Sequence, residues 1–293
     1  MTSSPALVRF HDVRSADGTR LRAWTNSADG PTVLVCNGLG TSPYAWPSLL
    51  RPDCGVHAVS WNHRGTGGSQ RPDDDRVDLD SLVEDAVAVM DDAGMESGVV
   101  ASWSTGVTVA FELAQRHPER VRGILAVAGV PGNTFGTMLA PWHVPVVLSR
   151  PLMVGLARLT TVTGVPLAPL TRRIPWTRTT TELLRRLRVF DESADTAELQ
   201  EMVREFFTTH PAWYARLALG VAEHSRVSLS GLDVPTTFVA GRRDLLSAAR
   251  DMRSASQRVR RSRYLELDAT HFVPIEQQDV VLDELRQLLA RVG

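Results

Sequence analysis

The run Gly98-Val99-Val100-Ala101-Ser102-Trp103-Ser104-Thr105-Gly106 constrains the fold more than any other stretch of the chain. Its first four residues form a short apolar run that reads as a buried strand. Val107 to Ala114 then follow a helical pattern that ends near His117-Pro118. A chain that turns abruptly from strand into helix puts its corner residue in a strained conformation, and the neighbours two positions away must be small. Ser104 meets that demand, with Ser102 before it and Gly106 after it. Ser102 does not, because the branched Val100 stands two positions earlier. A serine on such a corner is exposed at a helix N-terminus, where free N–H groups and the helix dipole favour a developing negative charge.

A serine hydroxyl is a poor nucleophile until a base takes its proton, and the base needs a carboxylate to fix its tautomer. Downstream, Pro235 to Gly241 is a strand pattern that runs into Arg242-Arg243-Asp244. Arg263 to Leu267 is another, followed by Asp268-Ala269-Thr270-His271-Phe272. The order Ser, Asp, His, with the last two each just after a strand, is the triad order of the α/β-hydrolases. The chain resembles that family over nearly its whole length. The resemblance implies Ser104 as nucleophile, Asp244 as acid and His271 as base. No carboxylate occurs in Gly129-Val130-Pro131-Gly132, the other place where family members carry the acid.

Other pieces carry the same resemblance. Thr32 to Cys36 reads as the strand that leads to the family's His-Gly loop, written here Asn37-Gly38-Leu39-Gly40. By that likeness the backbone N–H groups of Leu39 and Thr105 form the oxyanion hole, and Asn37 replaces the usual His. Trp61-Asn62-His63-Arg64-Gly65-Thr66-Gly67-Gly68-Ser69 is similar to the family's Asp-x-Arg-Gly-x-Gly-x-Ser loop, with Asn62 in place of Asp. That loop reads as a structural turn.

The rest of the chain fits a mostly parallel, eight-stranded α/β sheet flanked by helices. Leu7–Val13 and Arg20–Thr25 alternate about Asp17-Gly18 as a hairpin. Strands follow at 32–36, 56–61, the elbow strand, 121–129, from Pro235, and at 263–267. Helices are expected near 44–51, 79–93, 246–259 and 275–291, the second starting at Asp78 or Asp80. Between about 132 and 232 the alternation stops, leaving helical patterns at 143–160, 180–190, 196–209 and 211–224. The expected division is a core of 1–131 and 233–293 with a helical cap, or lid, at 132–232.

Composition excludes several classes. The net charge is -1 over 293 residues, which gives no electrostatic case for nucleic acid or an anionic membrane. No lysine is present, hence no G-x-x-x-x-G-K-[ST] phosphate loop, and the glycines at 65–68 lack a dinucleotide spacing. Cys36 and Cys54 form no disulfide framework or metal set, no HExxH occurs, and the histidines show no ligand spacing, so no metal or cofactor is expected. Met138 to Leu159 is apolar, but its prolines, His143 and arginines argue against a spanning helix. The N-terminus lacks the regions of a signal peptide, and a cytoplasmic protein without integral membrane association is expected. Nothing in the residues fixes an oligomeric state.

The expectation is thus a serine hydrolase that cleaves a small carboxylic ester, thioester or lactone with an apolar part through an acyl-enzyme on Ser104. The insertion concentrates aromatic residues, and Trp142 and Phe207 are candidate substrate-binding side chains. Trp103 is expected beneath the elbow, and Glu276 as a first-turn helix carboxylate. A dehalogenase or epoxide hydrolase of this fold would need Asp at the elbow. C–C bond hydrolases, cofactor-free perhydrolases and lyases use the same triad. A ligand receptor that retains a triad is the alternative outside the enzymes.

Overall fold

Asp17-Gly18 closes the first hairpin because glycine accepts the left-handed turn, with φ +83° at Gly18, while the Asp17 carboxylate accepts Thr19 N–H at 2.9 Å. The hairpin joins β1 (Arg9–Arg14) to β2 (Arg20–Thr25). The computed structural model describes residues 8–138, 144–171, 177, 179, 180, 182, 191, 199, 200, 202, 209–222, 228, 229 and 231–293.

Six further strands follow, β3 (Thr32–Cys36), β4 (His57–Trp61), β5 (Gly98–Trp103), β6 (Val121–Val127), β7 (Thr236–Gly241) and β8 (Ser262–Leu267). They form one eight-stranded sheet in the order β1-β2-β4-β3-β5-β6-β7-β8. Strand β2 runs antiparallel to both its neighbours, and every other pairing is parallel. Central strands are apolar on both faces, as a sheet covered on both sides requires. Leu34 and Val100 pack with the helices of one layer, whereas Val33, Val35, Val99 and Ala101 pack with the other.

Helices α1 (Leu79–Asp92) and α2 (Thr105–Arg116) build the first layer. Leu79, Leu82, Val83, Ala86 and Met90 of α1 are buried at helical spacing, and Asp78 caps the helix by accepting Ser81 N–H at 2.7 Å. Between β6 and β7 come α3 (Thr134–Thr137), α4 (Val146–Thr171) and α5 (Pro211–Ala222), of which α4 and α5 pack together. The chain closes with α6 (Ala249–Ser256), α7 (Val273–Glu276) and α8 (Gln278–Val292). Leu282, Leu285 and Leu288 of α8 cover the second face of the sheet.

The helix expected near 44–51 is instead two 3-10 turns, Pro43–Ala45 and Pro47–Leu50. Two prolines four residues apart remove the N–H donors that a continuous helix needs there. The helix expected at 246–259 is confined to α6, because Leu246 and Ser247 donate their N–H groups to Asp244. Helix α4 runs past the expected end at 160. The helices expected at 180–190 and 196–209 fall mainly outside the described residues. No helix of the described residues is long and apolar enough to cross a membrane.

Candidate active site

Ser104 stands between β5 and α2 with φ 56° and ψ −121°, a left-handed conformation that costs a non-glycine residue of order 1–3 kcal/mol. Its neighbours make the corner possible. Ser102 is fully buried and donates its hydroxyl to Leu125 O at 2.8 Å. A Cβ on Gly106 would lie 2.0 Å from Cys36 O, so α2 leaves the sheet against the end of β3 only because residue 106 has no side chain. At Gly106 the small residue required by the sequence pattern is therefore a steric necessity.

His271 Nε2 is 2.9 Å from Ser104 Oγ, and His271 Nδ1 is 2.8 Å from Asp244 Oδ2. With Nδ1–H donating to the carboxylate, the Nε2 lone pair is left to accept the serine proton. Asp244 and His271 are buried, at 3% and 8% exposure. Asp244 is aimed by its own loop: Oδ1 accepts Leu246 N–H at 2.7 Å and Ser247 N–H at 2.8 Å, leaving Oδ2 for the imidazole. The loops after β7 and β8 are joined through Arg242 N–H to Leu267 O and Arg243 N–H to Ala269 O, which brings Asp244 beside His271.

Two further side chains hold the histidine loop, and neither role was legible in the sequence. Trp103 donates its indole N–H to His271 O at 2.9 Å, and its ring lies 5.7 Å from the imidazole. It is buried beneath the elbow as expected, but it also lines the cavity over Ser104. Glu276 is a first-turn carboxylate, as expected, but of the short α7 rather than of the final helix. It closes α7 and reaches back to accept Thr270 N–H at 2.7 Å and Thr270 Oγ1–H at 2.6 Å. It also accepts Asp191 N–H at 2.8 Å, which ties this loop to the segment between β6 and β7.

Leu39 and Thr105 line the same cavity as Ser104. Thr105 is the first residue of α2, so its N–H has no intrahelical acceptor. Asn37, in the place of the family's His, sits beneath this loop. It accepts Trp46 Nε1–H at 2.7 Å and donates to Ser60 Oγ at 3.4 Å, so the departure is absorbed by a buried indole. Asn62, the other departure, donates to Gly67 O at 2.7 Å and closes its glycine turn.

The cavity measures about 390 Å³, within the range of small-molecule sites. Its wall is apolar, with Val130, Phe135, Met138, Met202, Val221 and Phe272 among the lining side chains. Among the described lining residues no carboxylate and no arginine occurs. Trp142 and Phe207 lie outside the described residues. Helix α5 closes one side, where Trp213 donates Nε1–H to Arg64 O at 2.8 Å and Arg71 stacks 4.2 Å from the Trp213 ring. Arg64 is itself fully buried and paired to the equally buried Asp85 at 2.7 Å, so α5 rests on a rigid loop. Cys36 is a buried free thiol whose burial pushes its pKa up, and Cys54 is buried and free. Among the described residues no group of His, Cys, Asp and Glu has the arrangement of a metal site.

The chain is 30% identical over 148 residues to Epoxide hydrolase B of Mycobacterium tuberculosis, which covers 44% of this chain and 40% of that protein. It is 32% identical over 124 residues to 2-hydroxymuconate semialdehyde hydrolase of a Pseudomonas species, covering 41% and 43%. The matches thus span less than half the length of these curated relatives. The solved structure of a thermophilic esterase from Thermogutta terrifontis superposes with a TM-score of 0.72 at 21% identity, over 97% of this chain and 99% of that one. The family model described as alpha/beta hydrolase fold matches residues 31–278. The match covers the sheet from just before β3 through β8, with the serine elbow and the loops of Asp244 and His271, and the chain belongs to the alpha/beta hydrolase fold family.

Proposed function

We propose that the chain is a serine hydrolase acting on a carboxylic ester, thioester or lactone with an apolar acyl or alcohol part. The observation that carries this reading is the continuous relay from Asp244 through His271 to Ser104, opening into an apolar cavity. Ser104 Oγ attacks the substrate carbonyl carbon while its proton passes to His271 Nε2. The carbonyl π electrons move to oxygen, and the N–H groups of Leu39 and Thr105 stabilise the resulting oxyanion. Asp244 keeps the imidazole in the tautomer that accepts this proton and stabilises the imidazolium that follows. Collapse of the tetrahedral species expels the alcohol or thiol, which takes the proton from His271. Water, activated by the same imidazole, then hydrolyses the acyl-enzyme.

The likeness to an epoxide hydrolase does not redirect the chemistry, because such an enzyme of this fold needs Asp at the elbow and Ser104 stands there. The likeness to 2-hydroxymuconate semialdehyde hydrolase supports a second reading, C–C bond hydrolysis on the same three residues. Residues 132–232 form the cap in this account, and Phe135 and Met138 supply apolar wall above the nucleophile.

A fluorophosphonate labelling assay and a straight-chain series of p-nitrophenyl esters, thioesters and lactones test both readings. Labelling is expected on Ser104 and lost in Ser104→Ala, with turnover down by several orders of magnitude, on the order of 10⁴ or more. Each methylene that leaves water contributes about 0.8 kcal/mol, or roughly fourfold, until the wall is met. Specificity therefore climbs along the acyl series and then falls, and Phe135→Ala moves the maximum to longer chains. Turnover of a vinylogous diketone with no turnover of any ester would favour C–C cleavage. Slow single turnover of an ester that leaves a persistent acyl group on Ser104 would favour a receptor.

A further inference from the structure

Of the two N–H groups assigned to the oxyanion hole, that of Thr105 is fixed by a helix start, whereas that of Leu39 lies in a glycine turn outside any helix or strand. Two side chains hold that loop through consecutive carbonyls. Thr41 donates its hydroxyl to Gly38 O at 2.7 Å and its backbone N–H to the same oxygen at 3.2 Å. Tyr214, from α5, donates its hydroxyl to Leu39 O at 2.5 Å. Gly38 C=O and Leu39 N–H belong to one trans peptide unit, so they point in opposite directions. A grip on Gly38 O therefore aims Leu39 N–H the other way and polarises it as a donor. The grip on Leu39 O fixes the next peptide plane, and the two together set both soft dihedrals of Leu39.

Gly40 shows that the tyrosine is built into this loop. Its φ is +67°, and a Cβ there would lie 2.5 Å from the Tyr214 ring. The loop thus leaves space for an aromatic ring that arrives from the insertion, about 175 residues later. Burial holds the Tyr214 hydroxyl far above its ordinary pKa, so it remains a donor throughout the working pH range.

We infer that Thr41 and Tyr214 are positioning residues for the Leu39 N–H, and that Tyr214 makes assembly of the oxyanion hole depend on the docking of α5. The inference rests on the serine-hydrolase reading above. It adds that the insertion does more than wall the cavity, since it completes one of the two donors.

The test uses the full chain and two ligands of equal alkyl length. An alkyl trifluoromethyl ketone accepts Ser104 Oγ at its carbonyl carbon, the serine proton passes to His271 Nε2, and the adduct carries an oxyanion. The matching alkanol fills the cavity and forms no oxyanion. Tyr214→Phe keeps the ring on Gly40, and Thr41→Val keeps the shape of the threonine. Each is expected to lower kcat about tenfold and to weaken the ketone by a similar factor, since a slightly misplaced donor costs of that order. KM and alkanol affinity should stay within about twofold, because neither probes the oxyanion. Thr41→Ser should restore the loss. Equal weakening of ketone and alkanol, or an unchanged kcat in Tyr214→Phe, overturns the inference while leaving the serine chemistry intact. Absence of any ketone adduct in the wild-type protein would overturn the serine reading and this inference with it.

Discussion

The indole N–H of Trp103 reaches the main-chain carbonyl of His271 at 2.9 Å, so the residue just before Ser104 holds the backbone of His271. The same ring lies against Gly38, where a Cβ would sit 3.0 Å from Trp103 Cε3. One buried side chain therefore spaces the Gly38 loop, the elbow and the histidine loop.

Trp103→Phe keeps an aromatic ring but removes the donor. A buried carbonyl left without its partner costs about 1–3 kcal/mol. The variant is expected to melt lower by roughly 2–8 °C and to lose about tenfold in kcat as His271 loosens. Differential scanning calorimetry and steady-state ester kinetics check both. A normal kcat with a lowered melting temperature would confine Trp103 to a packing role.

Asp244→Asn separates orientation from folding. The asparagine carbonyl still accepts Leu246 and Ser247 N–H groups, so the loop survives. Its amide faces His271 Nδ1 as a donor and forces that nitrogen to be the acceptor, the wrong tautomer for taking the serine proton. The expected loss is about two to four decades in kcat with a melting temperature close to that of the parent. Near-parental turnover would place the acid elsewhere in the chain.

The elbow gives a steric prediction. Gly106→Ala would drive its methyl to 2.0 Å from the backbone oxygen of Cys36, which cannot rotate away. The variant should accumulate little folded protein. Ser102→Ala loses one buried hydroxyl bonded to Leu125 O and should cost about 1 kcal/mol, with Ser104 labelled at the parental rate. Expression yield, thermal melts and fluorophosphonate labelling distinguish the two. Folded, stable Gly106→Ala protein would contradict the geometry of the turn.

These cases show which parts of the molecule a single sequence carries. The elbow was legible because its constraint is local: a strand, a corner and two small neighbours within nine residues. The Asp17-Gly18 turn was legible for the same reason, whereas the sequence left the start of α1 open between Asp78 and Asp80 and the structure makes Asp78 the cap. The 3-10 turns at 43–50 were signalled by Pro43 and Pro47, a local cue outweighed by the apolar pattern around it. Tyr214 against Leu39, Trp103 against His271 and Glu276 against Thr270 were not legible as partners. Each pairs a side chain with a backbone group or a loop hydroxyl whose position only the closed fold defines. Asn37 is intermediate, since its identity marked a departure but only the fold brings Trp46 to it.

His63 supplies a pH dependence that is independent of the serine chemistry. It is buried at 3% exposure in the glycine turn after β4, and its Nδ1 has no hydrogen-bond partner among the described residues. Burial disfavours the imidazolium and brings its pKa down to about 4, against an ordinary value near 6.5. Between these two values the unfolded chain binds a proton at this site and the folded protein does not. Stability contributed by the neutral form is therefore fully present above about pH 6.5 and falls as the pH drops toward 4. Integrated over that window the loss is about 3 kcal/mol. Carboxylates elsewhere titrate in the same range, so the comparison must be with a variant that lacks only this group. His63→Gln should begin less stable at neutral pH yet lose less between pH 6.5 and 4 in denaturant titrations. Parallel stability curves for the two proteins across that window would mean that His63 takes up its proton in the folded state without cost.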